Sequence, residues 1–265
     1  MLLQAEIAKL PREEKIKALT LLKERVRRQS MRSFHALFPD EDRAWDGPVT
    51  QVFRSGAGEA IYARAKYPQH MEFFGAGATY RERCFMAANR VGKTTAGGFE
   101  MTSHLTGLYR DWWPGRKFPR PISAWAAGKT NETTRDVIQR KLLGEVAWRG
   151  NAKTVTGTGL IPGDLIGDIT WKQGVADLVD TVLIRHATEG WSRLGLKSYQ
   201  QGRGSFEGTE QDVIWPDEEP PLDIYGEMLI RTATTNGIVF LTFTPLEGMS
   251  DVVMSFLPKD MQLAA

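Results

Sequence analysis

The chain has 265 residues, with 42% hydrophobic and 25% charged side chains and a formal net charge of +2. This is ordinary for a soluble globular protein, and the length suits one large domain with at most a small appendage. One cysteine, Cys84, excludes an intramolecular disulfide framework, and four scattered histidines (His35, His70, His104, His186) exclude a cysteine/histidine zinc cage. No apolar run reaches the roughly 18 residues of a membrane span. Glu6 and Lys9 stand where a secretory signal would place its apolar stretch, so a reducing intracellular setting is expected. Charge is uneven: residues 1–33 hold nine Lys/Arg and four acids, a net of +5, which leaves −3 for the remainder. Such a basic head is either a solvated helix face or a surface for DNA or an acidic partner.

Residues 11–29 read as a helix. Pro11 suits its first position, Glu13 and Glu14 suit the positive dipole end, and Ile16, Leu19, Leu22 and Val26 form a narrow stripe. Residues 39–60 contain Pro39, Gly47, Pro48, Gly56 and Gly58 and read as linker-like, so the core is expected to begin near Tyr67. The predicted division is an N-terminal helical segment and linker over 1–60 and a single domain over 61–265. Strands are expected at 83–87, 121–127, 212–215 and 238–243. Helices are expected at 94–108, at 131–143 with Asn131 as N-cap, and at 222–233, stopped by Asn236-Gly237. The runs 181–186 and 193–197 flank Gly190 and suit a hairpin. Residues 144–180 are glycine-rich and polar and are expected to form a mobile insertion. The alternation of strands and helices points to an α/β fold with a mainly parallel central sheet flanked by helices.

The strongest signal is Ala87-Ala88-Asn89-Arg90-Val91-Gly92-Lys93-Thr94, between a predicted strand and a predicted helix, and the cofactor-binding candidates run from Ala88 through Asn89, Arg90, Val91, Gly92, Lys93 and Thr94 to Thr95. That is the context of a phosphate-binding loop. Backbone N–H groups at the helix start meet phosphate oxygens, and Gly92 lets the backbone approach them. Lys93 reaches the β- and γ-phosphates of a nucleotide such as ATP, and the Thr94 hydroxyl suits Mg²⁺. The first glycine of the usual pattern is Ala87 here. A second strand must deliver carboxylates, and Val213-Ile214-Trp215-Pro216-Asp217-Glu218-Glu219 supplies them. Asp217 suits the metal, and Glu218 suits orientation or deprotonation of an attacking water. Pro216, which cannot donate to a ladder, marks the strand end. Residues 238–245 form a third element, whose threonines suit sensing of the γ-phosphate.

With these elements in order, the chain resembles the ATPase domain of tailed-bacteriophage large terminase subunits, the DNA-packaging motors. The resemblance rests on residues 85–94, on 195–203, on Asp212 to Pro220 and on Leu241 to Ser250, and it covers roughly residues 60–258. It implies an additional-strand, catalytic-glutamate P-loop ATPase that uses ATP and Mg²⁺ to drive double-stranded DNA into a procapsid in the host cytoplasm. It also implies a homo-oligomeric ring and contacts to a small terminase subunit and a portal protein, with no membrane. Lys93 and Thr94 would bind phosphate and Mg²⁺, Asp217 and Glu218 would be the Walker B pair, and Thr242 and Thr244 would couple hydrolysis to movement. Gln69 would contact the adenine edge. An arginine finger from a neighbour is implied; Glu207 stands before Gly208 where a basic residue is usual, which leaves Arg203 as the nearest substitute and Arg90 and Arg231 as rivals. The family's nuclease domain finds no room before Ala265, so no DNA cutting is expected. A helicase-like ATPase and a non-catalytic nucleotide-binding scaffold remain as alternatives; Glu218 stands against the scaffold.

Overall fold

Strand β11 (Ile238–Phe243) explains the layering of the molecule, because every one of its residues is buried. Ile238 and Phe240 face one apolar cluster, whereas Val239, Leu241 and Phe243 face another. A strand covered on both faces must be apolar throughout, which is the mark of a parallel sheet between layers. The computed structural model describes residues 11, 14–18, 20, 32–246 and 248–257. In chain order these form α1 (Ser33–Ala36), β1 (Arg43–Ala44), β2 (Ala60–Ile61), α2 (Pro68–Ala76), β3 (Glu82–Met86), α3 (Lys93–Thr106) and β4 (Ser123–Gly128). A helical run over 131–143 (α4) follows, in which Thr134–Gln139 is wound as a π-helix. Then come β5 (Val146–Arg149), β6 (Ala152–Val155), β7 (Ile166–Trp171), β8 (Val179–Arg185), β9 (Trp191–Ser198), β10 (Val213–Pro216), α5 (Leu222–Ala233), β11 and α6 (Asp251–Ser255).

The main sheet has the order β3-β11-β10-β4-β9-β8-β7. Pairings from β3 to β9 are parallel, and β9-β8-β7 continue antiparallel. The α/β class with a mainly parallel sheet holds, as does the hairpin around Gly190. Helix α3 lies against the sheet, and its Gly97 permits the close approach. A Cβ there would stand 2.4 Å from the Trp215 indole nitrogen. Gly107, at φ 67°, ends α3 in a left-handed cap and donates its N–H to the Ser103 carbonyl.

Four local expectations need correction. Residues 39–60 are not linker-like: they carry β1 and β2 and bury Trp45 and Phe53, stacked at 4.4 Å, with Ile61. The core begins before Tyr67, since Phe34 and Phe38 are buried among Phe74, Phe99 and Trp112. Residues 144–180 are not a mobile insertion, because β5 and β6 pair as a hairpin and β7 joins the main sheet. The N-cap of α4 is Thr130, whose hydroxyl accepts from the Thr133 N–H, rather than Asn131. Residues 14–18 are helical and Ile16 is exposed; Leu19, Leu22 and Val26 lie outside the described residues. No helix among the described residues is long and apolar enough to cross a membrane.

Candidate active site

The loop between β3 and α3 turns through two left-handed residues, Arg90 at φ 65° and Gly92 at φ 91°. The turn brings Lys93 to the first position of α3, where its side chain folds back over the loop. The Lys93 ammonium donates to the carbonyls of Ala87 (2.8 Å) and Ala88 (2.7 Å) and to the Thr244 hydroxyl (2.9 Å). That hydroxyl also lies 2.8 Å from Asn89 Oδ1 and 3.0 Å from the Ala87 carbonyl. Residues from the ends of β3 and β11 are thereby tied into one cluster.

One strand further along, Asp217 follows β10 and forms a parallel bridge with Thr242 of β11. A linear relay results. Trp215 Nε1 donates to Thr242 Oγ1 at 2.7 Å, Thr242 Oγ1 donates to Asp217 Oδ1 at 2.7 Å, and Thr94 Oγ1 donates to the same oxygen at 3.1 Å. Trp215, Thr242 and Asp217 are buried, so each polar atom depends on its neighbour. Burial pushes the Asp217 carboxyl up to about 7, and the nearby Glu218 charge adds to the rise; Thr242, Thr94 and Lys93 oppose it. A buried carboxylate beside a threonine hydroxyl is a hard oxygen donor set of the kind Mg²⁺ takes. No group of three or more His, Cys, Asp or Glu able to hold a metal by themselves occurs among the described residues. Such a metal would therefore depend on phosphate and water for its other ligands.

Glu218 is exposed and left-handed, at φ 73°. Its N–H donates to the Thr242 carbonyl at 3.0 Å and its own carbonyl accepts from the Tyr199 hydroxyl at 2.8 Å. A non-glycine residue in that region is strained, and such strain gathers at functional sites.

A cavity of about 210 Å³ opens beside the loop, lined by Phe38, Phe53, Ile61, Tyr67, His70 and Val91 among others. His70 is boxed by Tyr67 and Phe85, at ring distances of 5.2 and 4.9 Å. Burial holds its imidazole below the ordinary value, with backbone hydrogen bonds at Val91 and Gly92 opposing. Gln69 is exposed and does not line this cavity; its neighbours Tyr67 and His70 do. Arg203 is half-exposed and paired with Glu227 at 3.1 Å, and Arg231 reaches the same carboxylate at 2.9 Å. Arg90 stands exposed at the loop tip. Thr95 accepts from Lys141 of α4 at 3.4 Å.

The structure thus gathers Ala88, Asn89, Lys93, Thr94, Asp217, Thr242 and Thr244, and leaves Gln69 and Arg203 outside. The sequence alone does not reveal Trp215 as the start of the relay, Tyr199, Lys141 or the aromatic lining from residues 38–61. The Trp-Pro-Asp-Glu run was the one signal that pointed toward Trp215.

Residues 84–264, more than half of the chain, match the family described as terminase large subunit, T4likevirus-type, N-terminal. The chain belongs to the terminase large subunits. It is 38% identical over 214 residues to the terminase large subunit of Salmonella phage P22, covering 74% of this chain and 42% of that protein. It therefore spans less than half the length of this curated relative. Among solved structures, a large terminase ATPase domain of Thermus phage P74-26 is similar at 14% identity and a TM-score of 0.46, covering 68% of this chain and 65% of that one. The HK97 bacteriophage large terminase has 11% identity and a TM-score of 0.46, covering 81% and 38%.

Proposed function

We propose that this chain is the ATP-hydrolysing motor domain that powers translocation of double-stranded viral DNA into a procapsid. The observation that carries the reading is the convergence of Lys93, Thr94, Asp217 and Glu218 at the ends of β3 and β10, with β11 inserted between them. This convergence supports the reading of an additional-strand P-loop ATPase with a catalytic glutamate. The base of ATP enters the cavity beside Phe38, Tyr67 and His70, and its phosphates lie over the loop at the N-terminus of α3.

Lys93 is held by two loop carbonyls, and these are the bonds it exchanges for the β- and γ-phosphates. Its departure removes a donor from the Thr244 hydroxyl, so phosphate contact is felt at the end of β11. Thr94 and Asp217 would hold Mg²⁺, which neutralises charge on the phosphate oxygens. Glu218, exposed and pinned through its backbone, aims its carboxylate at the attacking water as base or orienting group. The domain works in a homo-oligomeric ring in the host cytoplasm, with double-stranded DNA, a small terminase subunit and a portal protein as partners. A neighbouring copy supplies an arginine; Arg203 is the first candidate, and the exposed Arg90 is a second. The family membership and the 38% identity to the P22 protein support the packaging role.

The test pairs two variants. Lys93→Ala abolishes tight ATP binding. Glu218→Gln keeps binding and lowers turnover by about two to four orders of magnitude. Turnover at the wild-type rate in the glutamine variant removes Glu218 from the mechanism.

A further inference from the structure

The turn Tyr199–Gln201 after β9 contributes no group that touches nucleotide in the reading above, yet it reaches the strained glutamate. Ser198 begins this turn, which runs over Tyr199–Gln201, and it is fixed from two sides. Its N–H donates to Gln201 Oε1 at 3.2 Å and its hydroxyl donates to Asn131 Oδ1 at 2.8 Å. The fixed turn sends the Tyr199 ring into the cluster of Trp125, Phe206 and Ile214, where only 6% of the residue is exposed. The hydroxyl emerges under the end of β10. It lies 2.8 Å from the Glu218 carbonyl oxygen, 3.3 Å from that of Asp217 and 3.4 Å from that of Ala127. A phenol has one proton, so the short contact to Glu218 takes the bond and the other two oxygens stand as second choices. Burial, together with the charges of Asp217 and Glu218, raises the phenol well above its ordinary value, so it remains a donor across the working pH range.

We propose that Tyr199 is a positioning residue for the general base: its hydroxyl pins the carbonyl of Glu218 and so holds that residue in the left-handed conformation that aims its carboxylate. The proposal rests on the ATPase reading. The peptide groups on the two sides of Glu218 are fixed by different strands, the N–H by Thr242 of β11 and the C=O by the residue that follows β9. A left-handed non-glycine residue persists only where its surroundings over-determine it. One buried hydrogen bond is comparable in size with the cost of that conformation. Removing it frees the peptide to rotate and the carboxylate to turn from the water. The carboxylate itself, the loop and the base cavity are untouched, so nucleotide binding stays intact. The same turn leads to Arg203, and Lys197 in β9, just before the turn, donates to the Ser205 carbonyl. The segment that holds Glu218 thus continues into the one carrying Arg203, whose guanidinium is paired with Glu227.

The experiment is a double-variant cycle on the full chain, with kcat and KM for Mg·ATP measured under single- and multiple-turnover conditions using radiolabelled ATP. Tyr199→Phe keeps the ring packing and removes only the hydroxyl. The expected result is a kcat about tenfold lower, with KM within about twofold of wild type. In the Glu218→Gln background, where the base is already lost, Tyr199→Phe lowers the residual rate by less than about twofold. A tenfold loss in both backgrounds means that Tyr199 acts independently of Glu218 and overturns the proposal, as does an unchanged kcat in the single variant. A wild-type chain without turnover, or Glu218→Gln at the wild-type rate, removes the ATPase reading and this proposal with it. Normal Glu218 dependence with an unaffected Tyr199→Phe variant removes the proposal alone.

Discussion

Thr242→Val is the most informative single perturbation, because it deletes one oxygen at nearly constant volume from the middle of the relay. The Thr242 hydroxyl accepts from Trp215 Nε1 and donates to Asp217 Oδ1, both at 2.7 Å. Trp215 is 0% exposed and Thr242 is 1% exposed, so no solvent replaces the lost partner. A buried donor left unsatisfied costs about 1–3 kcal/mol, and the loss of the bond to Asp217 adds to it. The expected destabilisation is about 2–4 kcal/mol, a large share of a domain's stability. The proper control is Thr242→Ser, which keeps the hydroxyl and loses one methyl, costing about 1 kcal/mol. Urea unfolding followed by tryptophan fluorescence measures both, and unchanged slopes show that the denatured state is the same. Trp215→Phe made in the Thr242→Val background should cost less than in wild type, since both partners are then gone. Under the proposed function the relay also bears on magnesium. The Thr242 hydroxyl lowers the Asp217 carboxyl, so its loss raises that group further above about 7 and increases the magnesium needed at neutral pH. A valine variant as stable as the serine variant, with an unchanged magnesium requirement, would falsify the relay.

Three other outcomes follow from the same geometry. Asp217 has its folded value raised to about 7 from an ordinary 3.8, so its stabilising contribution is complete below 3.8 and is lost as pH rises through 7. In magnesium-free buffer, Asp217→Asn should therefore gain on wild type in melting temperature between pH 4 and 7.5, with no further gain above; a flat difference contradicts the assignment. Glu100 and Arg83 form a buried ion pair between α3 and β3, with His104 3.1 Å from the same carboxylate. Glu100→Ala leaves Arg83 uncompensated and should cost about 3–5 kcal/mol in urea unfolding, part of it recovered by adding Arg83→Met. If Arg203 serves a neighbouring site, ATPase activity per chain should rise with protein concentration, and Arg203→Ala should flatten that rise while leaving ATP affinity unchanged. An unaltered concentration dependence in that variant passes the role to Arg90.

Several parts of this molecule are local in origin and were legible in the chain alone. Gly92-Lys93-Thr94 after a strand specifies a turn into a helix start, because glycine allows the left-handed turn that precedes the helix. The apolar run 238–243 could only be a strand buried on both faces, and the carboxylates after Pro216 had to lie at a strand end. The 222–233 helix was expected ahead of the Asn236-Gly237 stop, and its observed ends agree with those expected. Where two capping residues stand side by side, as Thr130 and Asn131 do, propensity does not separate them, and the Thr133 hydroxyl decides for Thr130. The remaining features depend on contacts between distant parts of the chain. Residues 39–61 look like a linker because glycine and proline recur locally; they fold because Trp45, Phe53 and Ile61 bury one another, and Phe53 and Ile61 line the cavity beside the loop. Residues 144–180 lack a strong apolar period because β7 is an edge strand exposed on alternate positions, and only its pairing with β8 defines it. The sequence names Asp217, Glu218 and Thr242. That Trp215, Thr242, Asp217 and Thr94 form one line of hydrogen bonds, and that Tyr199 holds the glutamate from beneath, was decided by the order of the strands in the sheet. Hydrogen bonds across parallel strands join residues separated by tens of positions, and no spacing within the chain encodes them.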